Sequence, residues 1–129
     1  METGVQMTST FELHRIHNLT SQVDIHTKKQ KALEVVEYGP STLVFQSHEK
    51  AILGQLLNLE GRLTIGGETV TFHATGKVVG ITVGEHKLNR FEIHLNQFDQ
   101  FQWNRFLAQS KARQGRVDKI FNSIRGEDE

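Results

Sequence analysis

The 129-residue chain contains no cysteine. That absence excludes disulfides, thiolate zinc sites, thiol nucleophiles and iron–sulfur clusters together, and it fits a reducing compartment. Pro40 is the single proline, and no long repeat or low-complexity tract occurs. No charge of one sign dominates: 15 basic residues meet 15 acidic ones. A general polyanion binder needs a surplus of Lys and Arg, so a nucleic-acid partner is not expected. No apolar run approaches the ~20 residues that span a bilayer as a helix. Residues 1–10 lack the basic-then-apolar order of a signal peptide. The expectation is one soluble, cytoplasmic domain without a membrane partner.

What is present is a strong β pattern. In Leu57-Asn58-Leu59-Glu60-Gly61-Arg62-Leu63-Thr64-Ile65 the apolar residues recur at every second position, interrupted only at Gly61. That period turns one row of side chains to a core and the other to solvent. Gly66-Gly67 follows as a two-residue hairpin turn. Val70, Phe72 and Ala74 then alternate with polar residues, and Val78-Val79 sits between Gly76 and Gly80. Such glycines predict a bent or bulged strand. Phe91, Ile93 and Leu95 alternate in one more strand. Residues 21–26, 32–38 and 42–46 read as three shorter strands, the last two separated by Gly39-Pro40. Residues 47–55 are ambiguous between a turn and one turn of helix. Short antiparallel strands at this density predict a mainly β fold, a small barrel of about six strands.

After Asn96 the period changes. Phe98, Phe101, Phe106 and Leu107 have helical spacing and are expected to close the barrel, with Gly115 ending that helix. Val117, Ile120, Phe121 and Ile124 form a second apolar stripe at i, i+3, i+4, i+7. From Arg105 to Arg125 six basic residues stand against one acidic residue. The expected organisation is a mobile arm over 1–10, a barrel with its helix over 11–114, and an amphipathic segment with an acidic tail over 115–129. The stripe, flanked by Arg116 and Lys119, is the expected contact to a protein partner or to a second copy of the chain, since an apolar helix face with a basic rim suits an apolar groove with an acidic one.

Sites of chemistry are sparse. His14 and His17 are three apart, suggesting one helix face with His26 nearby, but a zinc site needs three or four converging ligands. No nucleophile elbow occurs. Glu34 and Glu37, three apart on a strand, are expected on opposite faces. The glycines from Gly61 to Gly67 lack the lysine and following helix of a phosphate loop. No enzymatic activity, no metal and no cofactor are expected. Lys28, Lys29 and Lys31 form a basic cluster ahead of a strand.

The order of elements resembles the PilZ domain, a bacterial six-stranded barrel with a C-terminal helix. The resemblance runs from about Leu13 to Leu107. It rests on Glu37-Tyr38-Gly39-Pro40-Ser41-Thr42-Leu43-Val44-Phe45, which lines up with the family's Asp-x-Ser-x-x-Gly followed by Leu-x-Phe. Leu53-Gly54-Gln55-Leu56, Gly76-Lys77-Val78-Val79 and Asn89-Arg90-Phe91-Glu92-Ile93 are similar to later parts of that fold. The family binds cyclic di-GMP through an Arg-x-x-x-Arg stretch and the Asp-x-Ser-x-x-Gly turn. Here Glu37, Gly39 and Thr42 stand at the Asp, Ser and last Gly positions, and Arg15 is followed four residues later by Leu19. Lysines supply charge without the planar fork of arginine. The resemblance therefore implies a protein-interaction module in motility, pilus or signalling systems, with weak or absent cyclic di-GMP binding. The alternative it leaves is a cyclic di-GMP effector that uses Lys28, Lys29 and Lys31 in place of the arginine pair.

Overall fold

A computed structural model describes residues 9–110. Its strands are β1 (Thr10–Asn18), β2 (Val23–His26), β3 (Leu33–Tyr38), β4 (Thr42–Ser47), β5 (Leu56–Ile65), β6 (Glu68–Val83) and β7 (Asn89–Phe98). A helix, α1, covers residues 100–110. Every strand pairing is antiparallel. Six strands close a ring in the order β1-β3-β4-β7-β6-β5, with β5 returning to β1. The short β2 folds back onto the last residues of β1. The expected six-stranded barrel with a C-terminal helix is therefore the fold.

The β5–β6 hairpin shows how the sequence produces it. Leu57, Leu59, Leu63 and Ile65 all point inward and are buried. Gly61 holds the fifth inward position, where a Cβ would collide with the carbonyl oxygen of Glu12 and come within 2.8 Å of the Phe11 ring. The register runs unbroken from Leu56↔Lys77 to Ile65↔Glu68. Gly66 and Gly67 close it with φ of 58° and 90°, the left-handed pair that a tight hairpin needs. β6 is 16 residues long. It stays continuous by slipping register at Thr75/Gly76 and Val78/Gly80, which is the bending the two glycines predict. Its first part pairs with β5 and its last with β7.

The core is densest at the α1 end. Phe11, Phe72, Trp103 and Phe106 are buried against one another. Burial of each such side chain contributes roughly 1.5–3 kcal/mol. Trp103, Phe106 and Leu107 share the inner face of α1, and Ser110 continues it by accepting a 2.9 Å hydrogen bond from the Tyr38 hydroxyl. Asp99 starts the helix: its Oδ1 accepts the Gln102 amide at 2.9 Å, satisfying one of the free first-turn donors.

Three expectations are corrected. His14 and His17 lie on strand β1, not on a helix. The misleading signal is a bulge: between Leu13 and Arg15 the register with β5 slips by one, so Leu13 and Ile16 both face inward and their spacing imitates a helix. Glu34 and Glu37 are both exposed on the outer side, because a second bulge between Val35 and Glu37 inserts Val36. Phe101 does not help to close the barrel; it is 79% exposed, and Trp103 fills the place expected of it, while Phe98 ends β7. Residues 48–55 form an irregular loop. Gly115, the stripe Val117, Ile120, Phe121 and Ile124, and the flanking Arg116 and Lys119 lie outside the described residues.

Candidate functional site

Two polar concavities lie on opposite halves of the outer barrel surface. The first belongs to the hairpin that carries the family-like turn. Glu37, Tyr38, Thr42, Val44, Arg90 and Glu92 line about 170 Å³ of space over β3, β4 and β7. The ladder puts Val44 between Glu37 and Glu92 in one cross-strand row, which makes the valine the floor. Arg90 comes from β7 and donates to the Glu37 carboxylate. The turn itself is committed internally. The Gly39 amide donates to the Thr42 carbonyl at 2.9 Å, and the Gly39 carbonyl accepts the Trp103 indole N–H at 2.8 Å. A Cβ on Gly39 would stand 2.9 Å from Thr42 Oγ1.

The second concavity follows the outward rows of β1, β5 and β6. Register places Glu12, Arg62 and Thr71 in one row, Arg15, Glu60 and His73 in the next, and His17, Asn58 and Thr75 in a third. Two adjoining hollows share Glu60. One, of about 210 Å³, is lined by His14, Lys28, Glu60, Gly61, Arg62 and Thr71. The other, of about 150 Å³, is lined by Arg15, His17, Asn58, Glu60 and His73. Lys28 Nζ lies 3.0 Å from Glu60. That hydrogen bond, reinforced by the charges of Lys28, His73 and Arg15, holds the Glu60 carboxyl below its ordinary range against the opposing effect of burial. At the edge, His17 Nδ1 is 2.7 Å from Asp24 and Arg15 is 3.7 Å from it. The His17 hydrogen bond is the main cause that lowers the Asp24 carboxyl. Among the described residues no group of three His, Asp or Glu side chains is arranged to hold a metal ion.

The sequence candidates therefore divide between two places. Glu37 and Thr42 share the hairpin pocket, and Gly39 supports it from the turn. Arg15 and Lys28 belong to the opposite groove, and Lys29 and Lys31 are exposed in the loop between β2 and β3. The lining residues of the hairpin pocket and of the groove have no member in common. The sequence alone does not single out Arg90, Arg62 and His73 as site residues. The alternation of β5, β6 and β7 marks all three as outward, but only the closed register shows which outward residues meet. Comparison with protein-family models, with curated proteins and with solved structures gives no match.

Proposed function

We propose that the chain is a non-enzymatic protein-interaction module on a PilZ-like barrel, acting in a bacterial motility, pilus or signalling system and binding cyclic di-GMP weakly or not at all. One observation carries the nucleotide part of this reading: the polar groups of the motif-like hairpin are used within the fold. Glu37 is paired with Arg90, and the Gly39 amide and carbonyl serve Thr42 and Trp103. A ligand at this turn would have to displace interactions that hold α1 and the hairpin in place. The alternative, an effector using lysines, is disfavoured because Lys28 lines the groove on the other half of the barrel, away from the turn. A calorimetric titration with cyclic di-GMP separates the two.

The partner surface in this reading is the stripe Val117, Ile120, Phe121 and Ile124 with Arg116 and Lys119. Its support is that the core of residues 9–110 already contains its own cap, with Trp103 and Phe106 fully buried. Truncation after Gln114 tests it. The reading expects an unchanged melting temperature and loss of partner capture or self-association. A truncated chain that melts several degrees early and still binds its partner would refute it.

A further inference from the structure

The geometry points to a binding site for a small phosphomonoester in the larger hollow of the β1–β5–β6 groove, and we propose His14, Lys28, Arg62 and Thr71 as its donors. The site is separate from the hairpin pocket and does not depend on the cyclic di-GMP reading.

Three observations converge. First, the hollow brings together donors from three strands and a loop: an imidazole, an ammonium, a guanidinium and a hydroxyl. That is more than the two oxygens of a carboxylate use well, and it suits the three terminal oxygens of a phosphoryl group. Second, Arg62 is unpaired among the described residues. Glu12 is its cross-strand neighbour, yet among the described residues no carboxylate lies within 4 Å of its guanidinium. Third, His14 is the extra residue of the β1 bulge, and bulges re-aim side chains beside functional sites. Its Nε2 is buried without a hydrogen-bond partner among the described residues, a condition that calls for an explanation. A phosphoryl oxygen seated in the hollow that His14 lines would be the acceptor that nitrogen lacks.

The charge balance agrees. The two hollows together are lined by Lys28, Arg62 and Arg15 against the single carboxylate of Glu60. No aliphatic side chain and no Phe, Tyr or Trp lines either hollow, so a ligand dominated by an apolar skeleton has little to pack on. The phosphates of cyclic di-GMP are diesters inside a ring flanked by bases, and a hollow of about 210 Å³ accepts a terminal phosphoryl group far better.

The test is a two-dimensional amide NMR titration of the full chain with inorganic phosphate and, separately, with glycerol 3-phosphate. The proposal expects saturable shifts centred on Gly61, Arg62 and Thr71. Arg62→Ala should weaken binding about tenfold or more, as loss of a charge-assisted contact does. Arg62→Lys should restore part of it. Glu60→Gln, which removes the carboxylate from the same hollow, should tighten it. Arg90→Gln, in the hairpin pocket, should leave it unchanged. Spectral dispersion reports on folding in each variant. Tighter binding of the ester identifies a phosphorylated metabolite as the ligand class; equal or tighter binding of the free ion identifies phosphate itself and overturns the ester assignment. Absence of saturable shifts at β5 and β6, or affinities indifferent to both Arg62→Ala and Glu60→Gln, overturns the site.

Discussion

Replacing Trp103 with alanine strikes the point where α1 and the barrel meet. The indole is fully buried, with ring centroids of Phe72, Phe11 and Phe106 at 5.2, 5.4 and 5.5 Å. Its N–H also holds the Gly39 carbonyl at 2.8 Å. Truncating a buried Trp to Ala typically costs about 3–5 kcal/mol, a large share of the ~5–15 kcal/mol that keeps a domain folded. The melting temperature should fall by more than about 10 °C, given several degrees per kcal/mol in a domain of this size. Trp103→Phe separates the two contributions. It keeps much of the ring packing and forfeits the hydrogen bond, so the expected loss is only about 1–2 kcal/mol. Urea unfolding followed by circular dichroism measures both. A Trp103→Ala midpoint within error of wild type would refute the cap; equal damage from the phenylalanine variant would show that the hydrogen bond, not packing, dominates.

Three further perturbations follow from the same structure. Gly61→Ala forces a Cβ against the Glu12 carbonyl and the Phe11 ring; backbone cannot yield as a side chain does, so the expected cost is about 2–3 kcal/mol. Gly67→Ala meets no atom within 4 Å but must adopt φ near 90°, so its cost should be the smaller, about 1–2 kcal/mol of backbone strain; the order of the two urea midpoints checks this. Acid unfolding should be sensitive to Asp24. Its folded carboxyl is held below the ordinary range by His17 and then Arg15, so its stabilisation is present above about pH 4 and is lost as pH falls through the lower folded value. Asp24→Asn should flatten the pH dependence of the melting temperature in that acid range and leave the rest of the profile parallel to wild type.

Legibility of the fold in the sequence depended on whether a local period survived. β5 and its turn obeyed strict alternation and two adjacent glycines, so strand, hairpin and inward face were readable without coordinates. The glycines at positions 76 and 80 announced the bends of β6 for the same reason. β1 is hidden because the bulge at His14 moves Ile16 inward one residue late, and Glu34 and Glu37 share a face against the alternation because Val36 is an extra residue. Trp103 and Phe101 differ in burial although they are only two positions apart. On a helix that small offset turns one side chain to the barrel and the other to solvent, and neighbouring apolar residues did not fix the phase. The candidate site followed the same division. Glu37, Gly39 and Thr42 were legible as one turn because they are close in sequence. That Lys28 faces Glu60, and that Arg62 and His14 share a hollow, follows only from closing the barrel through the β1–β5 ladder.

The central functional claim is that the hairpin spends its polar groups on the fold and not on a nucleotide. Isothermal titration of the full chain with cyclic di-GMP tests it most directly. No saturable heat is expected at micromolar ligand. One-to-one binding at micromolar affinity or tighter, abolished by Thr42→Ala or Arg90→Gln, would contradict it.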